Sequence, residues 1–170
     1  MDAYMVVLRI VHILAGIFWV GSALVIFLFL QPAAREVGPA AGPLMTSLAQ
    51  KKRLPDVTLG AAGLTILAGL LMYWRVSGGF DQDWIGTAFG VAITIGALCA
   101  IAAVVLGASI VRPSMVKAGA IAQAAAAAGG PTPEQGAEIQ ALQQRVRATG
   151  NVIIPLLVLA VVAMSSARYL

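Results

Sequence analysis

His12 is the residue of this 170-residue chain with the clearest capacity for chemistry inside an apolar segment. It is the single histidine, and it lies in the stretch 12–21, HILAGIFWVG. An ionisable side chain at membrane depth is costly to bury, usually faces the interior of a helix bundle, and marks a functional site. Imidazole nitrogen also binds haem iron and transition metals. His12 is therefore the candidate metal and cofactor ligand.

Other side chains are predicted to reach the same level of the membrane. Met72 and Met164 lie near the ends of the second and fourth apolar segments, which run opposite to the first. An axial imidazole, a thioether opposite it and cations for the propionates are what haem b requires. The predicted cofactor-binding residues are His12, Met72, Met164, Arg9, Arg75, Arg168 and Trp19.

A lone histidine leaves several alternatives open. It cannot form a bis-histidine haem site within one chain, so the second axial position needs a methionine, an open site, or His12 of a second protomer. A cofactor-free alternative is a neutral imidazole that is hydrogen-bonded to a carbonyl or hydroxyl, with the arginines merely extending to the interface. A copper ion on His12 is the third alternative.

Motifs of independent catalysis are absent from the sequence. The apolar segments contain no paired carboxylates and no nucleophile beside a base, and neither a phosphate-binding glycine loop nor H-E-x-x-H occurs. Asp81 and Asp83 lie in a polar turn with Gly78-Gly79. The single cysteine, Cys99, excludes an internal disulfide. We predict no catalytic residue.

Four apolar segments must position these side chains. The chain is 60% hydrophobic and only 11% charged, and its mean hydropathy is +0.92. Segments at about 4–30, 57–74, 85–111 and 151–170 have roughly the 20 residues that span a bilayer as helix. The first has Asp2 and no basic region before it, unlike a secretory signal. The prediction is an all-α integral membrane protein, a four-helix transmembrane bundle forming one domain, 1–170.

The basic residues predict the orientation of the bundle. Eight of the 11 lie in segments 31–56 and 112–149, and the positive-inside rule places such segments in the cytoplasm. Both termini are then outside a bacterial plasma membrane. Because topology accounts for the charge, no nucleic-acid partner is predicted.

The two halves of the chain have similar residues at the ends of their apolar segments. Pro32 and Pro113 are each expected to end an apolar helix, and each is followed by a base. The pattern favours two tandem helical hairpins, although any two hairpins of this topology would share such features. Thr132, Pro133 and Gln135 predict the start of a short cytoplasmic helix leading into the fourth span.

Small residues predict where the helices pack. The third span has a stripe of Gly90, Ala92, Gly96, Ala100, Ala103 and Gly107, and the second has Gly60, Gly63, Ala68 and Gly69. Such faces on more than one helix also favour an oligomer, formed with further copies or with partner membrane subunits.

The start of the first helix resembles a known family. Leu8-Arg9-Ile10-Val11-His12 followed by Trp19-Val20-Gly21 gives H-x6-W-x-G, which is similar to the copper-resistance D (CopD-like) membrane family and its four-helix bacterial relatives. Arg112-Pro113, at the end of the third apolar segment, and the segment 164–170 are similar to those relatives as well. The opening also resembles the HemJ type of protoporphyrinogen oxidase.

The resemblance to the HemJ type implies a haem protein whose first-helix histidine corresponds to His12. The charged pattern of the HemJ second helix does not occur between residues 57 and 74, so oxidase activity is not expected. The predicted function is a haem b-binding redox or sensor protein. The alternatives are a structural or accessory subunit without a cofactor, and transport of copper ions or a small solute.

Overall fold

The protein is an all-α four-helix membrane bundle, as the sequence predicts. The structure, a computed structural model, describes residues 2–170. Four helical stretches are long and apolar enough to cross a membrane: Ala3–Val37, Leu54–Val76, Ala88–Ala127 and Pro133–Tyr169. Within residues 2–170 there is no β-strand.

Residues 2–170 form eight α-helices and the turns that join them. The helices are α1 (Ala3–Val25), α2 (Gln31–Val37), α3 (Gly42–Thr46), α4 (Leu54–Val76), α5 (Gln82–Ile85), α6 (Ala88–Leu106), α7 (Arg112–Ala127) and α8 (Pro133–Ser166). Wide π turns occupy Ile26–Leu30, Ser47–Lys51 and Gly107–Val111, and 3-10 turns occupy Gly38–Ala41 and Ala167–Tyr169.

Pro32 and Pro113 do not end the first and third helices, so that prediction is wrong. Each follows a π turn and lies in the first turn of the next helix, α2 or α7. A proline inside a regular α-helix lacks its N–H and clashes with the carbonyl four residues earlier. In the π turn the hydrogen bonds run over five residues instead of four. The chain therefore continues as helix past both prolines, and segments 31–56 and 112–149 are mostly helical.

The predicted start of the last helix is confirmed. Thr132 and Gln135 form a reciprocal capping box, in which each side chain accepts a hydrogen bond from the other residue's backbone N–H. Gly129 and Gly130, with φ of 88° and 147°, end the preceding helix. The expected short helix and the fourth span are one continuous 34-residue helix, α8, which passes through Pro155.

The helices pack as two antiparallel pairs, α1 with α4 and α6 with α8. This arrangement agrees with the two hairpins in the sequence. A smaller contact joins α4 to α6, where the Tyr73 hydroxyl lies 2.7 Å from Thr94 Oγ1. The core is formed by Trp19, Ala23, Ala62, Ala100, Ala103, Ile153, Leu157 and Ala160.

Small residues produce the close contact between α6 and α8. The predicted stripe is confirmed as far as Ala103, since Gly90, Ala92, Gly96, Ala100 and Ala103 are all buried. Its last member, Gly107, is only half-buried, with no atom within 4 Å of a Cβ built there. On α4 the prediction holds for Ala68, which is buried, and for Gly69, which lies against His12. It fails for Gly60 and Gly63, which are exposed, with no atom within 4 Å of a Cβ built there. The buried face of α4 passes through Ala62 and Thr65 instead.

Charged contacts hold the end of the bundle opposite the chain termini, which we call the basic end. There Arg112 Nε lies 2.7 Å and Arg53 Nε 3.1 Å from the two carboxylate oxygens of Asp56. Lys117 Nζ lies 2.6 Å from Glu138 Oε1 and joins α7 to the first part of α8. The other end, which carries both termini and α5, is called the terminal end.

Candidate functional site: the histidine of the first helix

His12 lies on the face of α1 that packs against α4. Its Nδ1 is 2.8 Å from the backbone carbonyl oxygen of Thr65. Since a carbonyl oxygen only accepts, Nδ1 is the donor, and in the neutral ring the lone pair is on Nε2. The Thr65 hydroxyl donates to the carbonyl of Ala61, at 2.8 Å. The backbone of α4, and not its side chains, therefore orients the imidazole.

Gly69 provides the space for the ring. A Cβ built at this position would lie 2.9 Å from His12 Cε1 and 3.1 Å from Nδ1, closer than normal van der Waals contact. One turn further along α1, Gly16 approaches Thr65, whose Cγ2 would be 3.5 Å from a Cβ there. The two glycines let the helices come close enough for the hydrogen bond between His12 and Thr65 to form.

This geometry matches the cofactor-free alternative described above, an imidazole that donates to a carbonyl. It is equally the arrangement of a metal-binding histidine, which almost always donates its second ring N–H to a carbonyl, a carboxylate or water. His12 is half-buried. Among residues 2–170, no group of three or more His, Cys, Asp or Glu side chains could hold a metal ion. The site accordingly offers a single nitrogen ligand.

The two methionines lie in different helix contacts. Met164 is half-buried between α8 and α6, and its Cγ would be 2.7 Å from a Cβ built on Gly96. Met72 is half-buried and follows Gly69 by three residues on α4. Within residues 2–170, His12 forms its hydrogen bond with the Thr65 carbonyl and not with the sulfur atom of Met72 or Met164. Met72 therefore belongs to the helix that contacts His12, whereas Met164 belongs to the other pair.

The three predicted arginines remain uncovered by the rest of the chain. The guanidinium carbon of Arg168 lies 5.0 Å from the ring centroid of Tyr169. Arg75 borders a shallow depression with Trp74, Gly78 and Gly79. None of the ion pairs found among residues 2–170 includes these guanidinium groups, which therefore can contact anionic groups at the terminal end.

Trp19 lies deeper in the bundle than the imidazole. Only 6% of its surface is exposed, and it packs in the core with residues of all four long helices. It follows His12 by seven residues, which places it about 10 Å toward the basic end at 1.5 Å per residue. Its role is therefore in core packing, and it also lines a cavity described below.

Within residues 2–170, His12 lines neither the cavity inside the bundle nor the depression at Arg75. The cavity inside the bundle lies toward the basic end from Trp19 and is not lined by His12. The donor atom therefore fits haem iron, but a haem on Nε2 would have to be covered in part by a second copy, a partner subunit or lipid.

Sequence reasoning missed the partners of His12. Thr65 and Gly69 are four residues apart on α4 and share one helical face, and this spacing was the available signal. The polar turn was interpreted correctly, since the Asp81 carboxylate caps α5 by accepting from the backbone N–H of Asp83 at 2.8 Å. Comparisons with protein-family models, curated proteins and solved structures return no match to this chain.

Proposed function

We propose that this multi-pass membrane protein binds haem b through Nε2 of His12 and acts as a redox or sensor protein. The observation that carries the proposal is the hydrogen bond from Nδ1 to the Thr65 carbonyl. It fixes the tautomer with the lone pair on Nε2 and raises the basicity of that nitrogen as a ligand. When bound, haem b supplies an iron centre for one-electron transfer or for binding a small gas.

The residues around His12 have distinct tasks under this proposal. Thr65 orients the ring through its carbonyl, and Gly69 provides the space in which the ring lies. Arg9 and Arg75 are uncovered toward the terminal end, where guanidinium groups suit propionates. The second axial position belongs to Met72, to Met164, to His12 of a second copy, or remains open.

The proposal includes a location and an assembly state. The excess of bases at the basic end favours a cytoplasmic position for that end in a bacterial plasma membrane, with both termini outside. Because His12 is half-buried and lines neither cavity described for residues 2–170, the proposed binding form is a homo-oligomer or a complex with another membrane subunit.

The visible spectrum tests haem binding. The protein, expressed in a haem-replete host and purified in mild detergent, should show a Soret band and a reduced-minus-oxidised difference spectrum. His12→Ala should lose both. Thr65→Val is the matched control, since it keeps the carbonyl that orients His12 and removes only a hydroxyl bonded to Ala61. A wild-type protein without a Soret band, or a His12→Ala protein with an unchanged one, would refute the proposal.

Two further variants identify the second ligand. If a thioether is axial, either Met72→Leu or Met164→Leu should change the six-coordinate spectrum to a five-coordinate one. Unchanged spectra in both variants would leave His12 of a second copy or an open site. If a dimer then loses haem when it dissociates, the second ligand is His12 of the second copy and not an open site.

A second candidate is a cofactor-free accessory subunit, and the contact of His12 with Gly69 favours it. That contact and the Thr65 hydrogen bond together account for a histidine in α1 as a helix-packing residue. Without a Soret band, crosslinking in native membranes should recover this chain with another subunit. Recovery of monomer alone would contradict the accessory role.

A further inference from the structure

A cavity inside the bundle, toward the basic end, has no part in the site at His12. It has a volume of about 70 Å³, and residues of α1, α4, α6, α7 and α8 and of two π turns line it. Trp19, Ala62 and Ile153 form part of its apolar lining. An apolar cavity of about 150 Å³ is enough to bind benzene. The space here has less than half that volume, so it takes a few methylene groups of a hydrocarbon chain whose remainder lies outside it.

The cavity has one polar side. Thr58 Oγ1 lines it and is buried without a hydrogen-bond partner in the described chain. Arg112 lines the same cavity and pairs with Asp56, which also binds Arg53. Two arginines share one carboxylate, so this cluster, of which Arg112 lines the cavity, carries a net positive charge. The polar side therefore combines an unused hydroxyl donor with a cationic rim.

Two π turns shape the cavity wall. Ile26 and Phe27 come from the turn before α2, and Gly107 and Val111 from the turn before α7. Such turns occur frequently at functional sites. A Cβ built on Gly107 meets no atom within 4 Å, so this part of the wall is open space.

We propose that the cavity binds the part of an acyl chain that lies next to its anionic head. The hydrocarbon lies among the apolar residues, a head oxygen accepts a hydrogen bond from Thr58, and the negative charge lies at Arg112. Free fatty acids and anionic phospholipids share this chemistry.

Fluorescence of Trp19 reports directly on the cavity. A Trp74→Phe, Trp84→Phe protein keeps Trp19 as its single tryptophan. It should be titrated in detergent micelles with a brominated fatty acid, a brominated anionic phospholipid and a brominated zwitterionic phospholipid. We expect saturable quenching at about one ligand per chain by one or both anionic ligands, and weaker quenching by the zwitterionic one. The anionic arm that saturates identifies the source of the acyl chain.

Variants distinguish the cavity from the lipid-facing surface. Gly107→Leu should fill the space and abolish saturable quenching, whereas Gly60→Leu, at an equally open position that does not line the cavity, should leave it unchanged. Thr58→Val should weaken binding about fivefold, as expected for a hydrogen bond of roughly 1 kcal/mol. Arg112→Gln should remove the preference for anionic heads.

Three results would overturn the proposal: quenching that rises linearly for every ligand, quenching that Gly107→Leu leaves intact, or equal binding of zwitterionic and anionic ligands. His12→Ala should not change the titration, because His12 does not line the cavity. The acyl-chain proposal therefore stands or fails separately from haem binding.

Discussion

Replacing Gly69 by alanine tests the contact on which the His12 site depends. The added methyl group would lie 2.9 Å from Cε1 and 3.1 Å from Nδ1 of the imidazole. Since ordinary contacts begin near 3.4 Å, the ring has to retreat by several tenths of an ångström. The hydrogen bond to the Thr65 carbonyl, now 2.8 Å long, should then stretch or break.

The expected loss of stability is the balance of three terms. Overpacking of a close contact costs about 1–3 kcal/mol, and a hydrogen bond between membrane helices contributes on average about 0.6 kcal/mol. Replacing glycine by alanine within a helix returns about 0.5–1 kcal/mol. Gly69→Ala should therefore lower the free energy of unfolding by roughly 1–3 kcal/mol.

Unfolding in mixed micelles, followed by circular dichroism, measures this loss. Gly63→Ala is the control on the same helix, since its methyl group meets no atom within 4 Å and should be neutral or stabilising. In a His12→Ala background the penalty at Gly69 should disappear, giving a coupling energy of roughly 1.5–3.5 kcal/mol. If Gly69→Ala behaves like Gly63→Ala in both backgrounds, the imidazole does not lie against Gly69 and the argument fails.

Two further predictions concern the helix contacts outside the site. Gly150→Ala should destabilise the protein by about 3 kcal/mol or more, because a methyl group there would overlap the ring of Phe27; unfolding of the double variant with Phe27→Leu should recover part of the loss, and no recovery would contradict the packing. Tyr73→Phe should cost about 0.6 kcal/mol and at most about 1.7 kcal/mol, because Thr94 already donates to another carbonyl and accepts from Tyr73; a loss that is unchanged in a Thr94→Val background would contradict this hydrogen bond.

Hydropathy and local capping rules predicted much of the fold. In lipid the backbone N–H and C=O groups have to form hydrogen bonds with each other, so a long apolar segment has to be a helix. Four such segments predicted the four spans. Thr132 and Gln135 predicted the start of α8 correctly, because a capping box depends on residues within one turn. The stripe from Gly90 to Ala103 correctly predicted which face of α6 is buried, because the regular spacing of small residues along a helix is also a local pattern.

Features that depend on contacts between helices were not predictable from local patterns. Gly60 and Gly63 resemble packing residues in sequence, yet the rotation of α4 places Ala62 and Thr65 at the contact. The partner of His12 is a backbone carbonyl, which every residue possesses and no sequence motif marks. The location of His12 at a helix contact was predicted, whereas its pairing with Thr65 depends on how α1 and α4 align.

The π turns before Pro32 and Pro113 have a consequence for the rotation of each helix about its own axis. A π turn holds about one residue more than an α turn, and one residue corresponds to about 100° of rotation. The face that a helix shows inside the membrane therefore differs from the face it shows beyond the turn. In the second hairpin α6 and α7, on the two sides of such a turn, both pack against α8.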